Sequence, residues 1–481
     1  MLTRLEADGF KNLLGFSLDF GPVTCIAGPN AVGKSNILDA IHFLSLLSSH
    51  TLMEAALRVR GGDPDTAEVR DLFWTDGQSR RTSFRLAAEM IVDEDIKDDF
   101  GRPAKATSTF LRYEIKLGYA PPSPDGGLLG NLTLLREKLD YITQGDAHRH
   151  LHFEHSAKGF RGQVVRNRRY GSGYISTGET EDGQTEISVH QDGGSRGPAQ
   201  KALAEAAPRT IVATSNTSST PTILAARREM QSWRLLALEP SAMRRPDRFL
   251  DEPRISVSGG HLPATLYRLG GESAANGGSK RDRPVVYAQV ASRLADLVPV
   301  RAVDILRDDE RRLLTLVVTE NSGIRLPASS LSDGTLRFLA LSVMAADPQL
   351  RGVICMEEPE NGIHPARMEA MVELLQALAV DPRLEPGPDN PMRQVVVATH
   401  SPTFVQLQSK DDLVFALESM VRGEDGKPVG SIQCLPLVDT WRAREMERAV
   451  GISTIIDYLA SPVGSQFNLP GIGRPELAAS S

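Results

Sequence analysis

The sequence predicts an α/β fold organised around a phosphate-binding loop, and three observations predict it. Near the N-terminus, Gly28-Pro29-Asn30-Ala31-Val32-Gly33-Lys34-Ser35 completes a G-x-x-x-x-G-K-S pattern between a β-branched, apolar run at 23–27 and a helical run. In the last third, two short apolar runs, 352–356 and 394–398, each deliver polar residues at their C-terminal ends, the edge where parallel sheets place ligands. Between the two halves lies a stretch of short alternating runs divided by Gly- and Pro-rich segments, which reads as a β-rich insert.

The loop's chemistry follows from its residues. Glycines let backbone N–H groups curl around phosphate oxygens, and the following helix adds its positive N-terminal dipole. Lys34 is suited to reach β- and γ-phosphates, and the Ser35 hydroxyl to ligate Mg2+. Ile37, Leu38, Ile41, His42, Leu44 and Leu47 recur at three- and four-residue spacing, as on one face of a helix. Upstream, residues 2–10 and 16–20 read as a hairpin. Lys11 and Asn12 in its turn are either nucleotide contacts or a polar turn.

Composition bounds the class. A chain of 481 residues, 41% hydrophobic and 24% charged, is an ordinary globular chain with room for two or three domain-sized units, which excludes disordered and fibrous classes. The longest apolar runs, around 41–47 and 336–346, fall short of the ~20 residues a membrane span needs and are expected as core helices. The acidic first residues precede no apolar region of signal-peptide type, so no secretory leader and no membrane association are expected. Three cysteines make no disulfide framework; Cys25 and Cys355 lie in apolar runs as small buried hydrophobes, and a cytoplasmic location is expected. A net charge of −7 argues against a positively coated surface while leaving room for a local basic groove.

After the loop helix, residues 69–78 read as strand-like, with Asp76-Gly77 as a turn before an alternating run at 82–90. From 93 to 282, alternating runs at 109–119, 132–142 and 151–155 predict strands, and 121–127 and 193–197 predict loops. Residues 222–235 predict a helix with Ile223, Ala226, Met230 and Trp233 on one face, and 273–284 a mobile loop. No heptad pattern is sustained, so no long coiled coil is expected. His148, His150, His152 and His155 have mostly alternating spacing without a metal-type partner, and an exposed strand accounts for them better than a metal site. Arg161, Arg166, Arg168 and Arg169, beside Tyr170, either follow a nucleic-acid backbone or form a solvated loop.

Chemistry returns near residue 331. Leu331-Ser332-Asp333-Gly334-Thr335 opens a helical run, where Ser332 and Gly334 either meet an anion or form an ordinary N-cap. Glu357 and Glu358 follow the first buried run; one carboxylate is placed to hold Mg2+ through water and the next to polarise an attacking water. His400 ends the second run and is expected at the same edge as Lys34 and Glu358.

Taken in this order, the motifs resemble ABC-type ATPases of the RecF/SMC/OLD-like group, in particular its short, arm-free members that include the ATPase subunits of bacterial phage-defence systems. The resemblance covers residues 2–47 and about 284–413, with a weaker match at 233–246 and none over most of 93–224. It implies a P-loop ATPase head with a mixed sheet and split lobes: an N-terminal lobe over 1–92, a β-rich insert over 93–283, a C-terminal lobe over 284–435, and terminal helices with a tail over 436–481. ATP and Mg2+ are the implied cofactors. Gly28, Asn30, Gly33, Lys34, Ser35, Asn36, Lys11 and Asn12 would hold the nucleotide. Ser35, Glu357 and Gln78, as the Q-loop glutamine, would serve the metal. Lys34, Glu358 and His400 would serve the reaction. Ser332 and Gly334 match the signature motif, which in such ATPases closes over the γ-phosphate of the opposite protomer, so a homodimer joined through ATP-bound heads is implied, with a higher oligomer also open.

Two departures qualify the resemblance. The usual Walker B aspartate is Glu357 here, one methylene longer. About eighty residues follow His400, without the Asp-x-Asp metal motif of the Toprim domain in OLD nucleases. The expected function is therefore ATP hydrolysis at a dimer-split site, with ATP-driven head engagement that regulates or scaffolds a nucleic-acid-directed activity, in anti-phage defence, with a nuclease or toxin effector on a separate chain and DNA as a further candidate partner. The alternatives are a RecF-like role in DNA repair or chromosome maintenance, and an ATP-binding scaffold with little turnover.

Overall fold

A computed structural model describes residues 1–59, 68–122, 130–192, 199–275, 283–422, 428–445 and 448–460. The chain opens with the strands β1 (Leu2–Asp8), β2 (Phe16–Asp19) and β3 (Val23–Ala27), followed by helices α1 (Lys34–Leu47) and α2 (Leu52–Arg58). Next come β4 (Ser83–Ile91), the short pair β5 (Asp95–Lys97) and β6 (Pro103–Lys105), and the long β7 (Phe110–Ala120) and β8 (Asn131–Tyr141). After α3 (Gly162–Val164), β9 (Ile175–Glu179), β10 (Thr185–Val189) and β11 (Gln200–Leu203), the chain turns helical through α4 (Ile211–Thr214) and α5 (Pro221–Gln231). It continues through β12 (Arg234–Leu236), α6 (Pro240–Met243), β13 (Asp247–Arg248), α7 (Leu262–Ala275) and α8 (Arg283–Ala295). The last part holds β14 (Val300–Asp308), β15 (Leu313–Glu320), β16 (Arg325–Pro327), α9 (Asp333–Ala346), β17 (Gly352–Glu357), α10 (Met368–Leu378), β18 (Arg393–Thr399) and α11 (Pro402–Gln406). It ends in β19 (Leu413–Arg422), β20 (Pro428–Pro436) and α12 (Ile452–Ala460).

The site rests on a six-stranded mixed sheet in the order β12-β17-β18-β3-β19-β20, parallel except for β20. β3 and β18 are buried at every position, as strands covered on both faces must be. Their alternate side chains serve two cores. Val353, Cys355, Val396 and Ala398 face a core shared with α1, while Ile354, Met356, Val395 and Val397 face one shared with α9 and α10. A second sheet, eight-stranded and antiparallel in the order β11-β10-β9-β8-β7-β4-β1-β2, packs on the α1 side. The fully buried Gln394 joins the two sheets: its Nε2 donates to the carbonyls of Leu2 (2.7 Å) and Gly21 (2.8 Å), and its Oε1 accepts from the Leu2 N–H (2.9 Å).

This is the mixed α/β architecture with a mixed sheet that the motifs predict. Among the described residues the longest helices, α1, α7 and α9, have 14 residues each, and no helix is long and apolar enough to cross a membrane. Cys25 and Cys355 are buried and free, as expected, and so is Cys434.

Several local expectations are corrected. Residues 151–155 form no strand, and Ala147–Arg149 is a single 3-10 turn. The histidine spacing is explained by separate partners: His150 Nδ1 meets Glu89 (2.8 Å) and His152 Nδ1 meets Asp19 (3.2 Å). The strand-like run at 69–78 begins as a 3-10 turn, Val69–Leu72. The helix at 222–235 ends at Gln231, so that residues 234–236 form β12 on the edge of the parallel sheet. Of the expected loop at 273–284, the ends belong to α7 and α8 and residues 276–282 lie outside the described residues, as do most of 121–127, the loop at 193–197 and the tail from 461.

One carboxyl ties the β-rich region to its helices. Glu137 on β8 is fully buried; its Oε2 accepts from the Ile211 N–H (2.7 Å), and its Oε1 from Val212 N–H (3.0 Å) and the Tyr113 hydroxyl (3.2 Å). Burial pushes the acid up from 4.5 to about 7 against those three donors. An acid whose folded value is raised contributes stability that is full below pH 4.5 and lost as pH rises through 7, a swing of about 3 kcal/mol. Thermal melts from pH 5 to 8 should show Glu137→Gln flattening the wild-type decline, so that the variant gains on the wild type as pH rises.

Candidate functional site

The loop after β3 depends on close backbone approaches. A Cβ on Gly28 would lie 2.5 Å from the Ala416 carbonyl oxygen, and Gly28 N–H donates to the Thr399 carbonyl at the end of β18 (3.2 Å). Gly33, at φ +107, is the N-cap of α1, and a Cβ there would lie 2.1 Å from Asn12 Nδ2. Both glycines meet backbone or side-chain atoms that leave no room for a larger residue.

Lys11 and Asn12 brace this loop from the β1–β2 turn. Asn12 Nδ2 donates to the Val32 carbonyl (3.0 Å), and its Oδ1 accepts from Asn36 Nδ2 (2.7 Å). Lys11, at φ +49, places Nζ 2.6 Å from Oδ2 of Asp39, a buried acid on α1. The buried Lys34 folds back so that Nζ donates to the carbonyls of Gly28 and Pro29, both at 2.7 Å. Burial pushes its ammonium below the usual lysine range, while Glu358, Glu357 and Glu360 oppose the shift.

β18 separates the loop strand from the carboxylate strand and holds both. Its Ala398 carbonyl accepts from Glu358 N–H (2.8 Å), one residue before the Thr399 carbonyl that accepts from Gly28. Glu357 is exposed at the end of β17, whereas Glu358 turns aside at φ +48, a left-handed conformation strained for a non-glycine residue. Its Oε1 lies 2.6 Å from His400 Nδ1, a close contact without hydrogen-bond alignment, and its Oε2 accepts from Asn361 Nδ2 (2.6 Å). Asn30, Ala31, Gly33, Lys34, Ser35, Asn36, Glu357 and Glu358 line one cavity of about 340 Å³.

Other predicted residues lie elsewhere. Gln78 sits exposed in a turn held by Asp76, whose Oδ1 accepts the N–H groups of Gln78 (2.8 Å) and Ser79 (2.6 Å), and it does not line the cavity. Ser332 caps α9, accepting from Thr335 N–H (3.2 Å), and Gly334 follows in the helix's first turn; neither lines the cavity of its own chain. Of the arginines, Arg168 pairs with Glu94 (2.5 Å), and Arg169 donates to the carbonyls of Ser172, Gln191 and Gly173 while lying over the Tyr174 ring. Arg166 donates to its neighbour Gln163 (3.1 Å), Arg161 ends a one-turn helix, and Tyr170 is 90% exposed.

Two acids escaped the sequence reading. Glu360, 5% exposed, accepts from the Thr399 hydroxyl and leaves Oε2 without a hydrogen-bond partner among the described residues; burial pushes its carboxyl up. Its place in Glu-Glu-Pro-Glu was the available signal. Glu239 follows β12 and lines a second cavity of about 600 Å³ with Leu238, Glu357 and Glu358. Only the pairing of β12 with β17 brings it there.

A parallel-sheet loop–helix unit facing paired acids across a polar cavity defines a P-loop α/β protein. The chain belongs to the family described as "AAA domain, putative AbiEii toxin, Type IV TA system", whose profile matches residues 23–174 and 244–406. Among curated relatives, the DNA replication and repair protein RecF of Porphyromonas gingivalis is 38% identical over 64 residues, 13% of this chain and 18% of that protein. RecF of Lactobacillus delbrueckii subsp. bulgaricus is 46% identical over 50 residues, 10% of this chain and 13% of the relative. The chain thus spans less than a fifth of the length of these relatives. Among solved structures, an Smc head bound to the C-winged helix domain of ScpA aligns at TM-score 0.46 and 14% identity, covering 91% of this chain and 98% of that one. An Smc head from Pyrococcus furiosus with an extended coiled coil, bound to the C-terminal domain of ScpA, aligns at 0.43 and 12%, covering 90% and 96%.

Gly33→Ala should weaken binding of a fluorescent ATP analogue by about tenfold or more, since a Cβ there meets both an unfavourable φ and the Asn12 amide. Adding Asn12→Ala should recover part of that loss in the same titration.

Proposed function

We propose that this chain is an ATPase whose nucleotide site is completed by a second copy, and that ATP-driven engagement of the two heads regulates or scaffolds a nucleic-acid-directed activity. The observation that carries the reading is the meeting of Lys34 and Ser35 with Glu357 and Glu358 around one cavity. The donor set fits a magnesium nucleotide. The N-terminus of the 14-residue α1 supplies amide donors and a positive dipole end, Lys34 a cation now turned onto loop carbonyls, and Ser35 and the exposed Glu357 hard oxygen ligands. When bound, Mg2+ would offset phosphate charge during transfer to water. Lys34 would leave the Gly28 and Pro29 carbonyls for the phosphates. Glu358 would orient or deprotonate the attacking water, and His400, beside it, would contact the γ-phosphate. Ser332 and Gly334, outside the cavity of their own chain, would act on the partner's nucleotide.

The proposed setting is cytoplasmic anti-phage defence with a separate nuclease or toxin effector; the family's description, which names a toxin of a type IV toxin–antitoxin system, supports it. Arg161, Arg166, Arg168 and Arg169, with Tyr170 beside them, are the proposed DNA contacts; Arg168 and Arg169 would exchange their Glu94 and backbone-carbonyl partners for phosphates. The four segments divided at 92, 283 and 435 are proposed as two ATPase lobes, an insert and a C-terminal unit, with β12 joining the insert to the core. The RecF identities favour a second reading, a role in DNA repair or chromosome maintenance. ATPase stimulation by gapped duplex would favour repair; stimulation confined to a phage component would favour defence.

Glu358→Gln should lower ATP turnover on the order of 100-fold while accumulating an ATP-dependent dimer in light scattering. Ser332→Arg should bind the nucleotide as a monomer and yield neither dimer nor hydrolysis. An Arg variant that dimerises and hydrolyses as the wild type does would exclude a site completed in trans.

A further inference from the structure

The loop that follows Glu358 is clamped to the first turns of α9. An ideal Cβ on Gly334 would fall 2.2 Å from the Gly362 carbonyl oxygen, so at this point the helix lies directly on the loop backbone. Gly362, at φ +83, makes the sharp turn that presents that carbonyl. One turn along α9, Arg337 Nη1 donates to the Asn361 carbonyl (2.6 Å). The loop closes on itself by Asn361 N–H to the Glu358 carbonyl (3.0 Å) and Ile363 N–H to the Glu360 carbonyl (2.9 Å). The side chain of the same Asn361 then donates to Glu358 Oε2 (2.6 Å). A continuous set of contacts therefore runs from the helix that carries Ser332 to one oxygen of the Glu358 carboxylate.

We infer that Arg337 and Asn361 are positioning residues that carry the placement of α9 into the orientation of Glu358, so that what Ser332 and Gly334 meet at one site sets the carboxylate of the other. The inference rests on the ATPase reading given above. It has a mechanical basis that does not depend on hydrolysis. Close packing at Gly334 leaves no slack for α9 to shift without moving residues 358–362, and the amide of Asn361 transmits that shift to Oε2. Glu358 is the residue best placed to respond, because its left-handed backbone is maintained only by its surroundings.

The test uses the full chain in two measurements. In steady-state hydrolysis, Arg337→Ala and the nearly isosteric Asn361→Asp should each lower kcat by about tenfold, with KM for ATP within about twofold, because orientation of the carboxylate and not nucleotide binding is lost. Arg337→Lys, which keeps a donor for the Asn361 carbonyl, should restore most of the rate. The double variant should lose little more than either single one, as links of one chain do. Additive losses, a raised KM with unchanged kcat, or wild-type rates in Asn361→Asp would overturn the inference. In nucleotide-free protein, hydrogen exchange at residues 358–363 should quicken in Arg337→Ala while exchange in β1 stays unchanged; unchanged exchange at 358–363 would also overturn it. If the wild-type chain hydrolysed no ATP, the ATPase reading would fail, and the exchange result would still decide whether α9 holds the loop.

Discussion

The site depends on the last two carbonyls of β18. Thr399 accepts the N–H of Gly28 and Ala398 accepts that of Glu358, so one buried strand joins the start of the phosphate loop to the carboxylate loop across some 330 residues of sequence. Neither partner has freedom to move alone: β3 and β17 pair with β18 in parallel register, and every residue of β18 is buried. Parallel pairing leaves all three strand ends at one edge, which is why a lysine near the N-terminus and acids near residue 358 share a cavity.

Around this edge the chain spends polar contacts on restraint as much as on display. Asn12 and Lys11 tie the first hairpin to the loop helix, and Gln394 ties the same sheet to β1 through two buried hydrogen bonds to Leu2 and to the Gly21 carbonyl through a third. Those bonds matter because a buried amide left unpaired would cost about 1–3 kcal/mol, so the two sheets hold one relative placement. Lys34 folds back onto loop carbonyls and Glu358 touches His400 and Asn361, so both groups are held by internal contacts.

Parts of this arrangement were legible because they are local. The G-x-x-x-x-G-K-S loop announces its backbone shape through its glycines, and alternation located β7 and β8 to within one residue of the runs at 109–119 and 132–142. Other parts were not. The histidines near 150 mimic a strand by spacing alone, but Glu89 and Asp19, distant in sequence, hold two of them in a turn. Gln78 has the side-chain type of a metal-side glutamine, and it lies in an exposed turn held by Asp76, outside the cavity's lining. Glu239 lines the second cavity with Glu357 and Glu358 because β12, only three residues long, gains its place through pairing with β17 and not through any strong pattern of its own.

By itself, the sequence determined the elements whose shape follows from neighbouring residues: the phosphate loop, the amphipathic α1, the buried runs that become β17 and β18, and the absence of a heptad arm. The tertiary structure alone decided which carboxylate meets His400 and Asn361, why Gly334 has to be a glycine, and which acid lines the second cavity from the sheet's edge. The physical reason is the range of the determining contacts. Glycine conformation and hydrophobic period act over a few residues, whereas the orientation of Glu358 is set by β18, by Asn361 and, through the Asn361 carbonyl, by Arg337 on α9, which only the folded chain brings together.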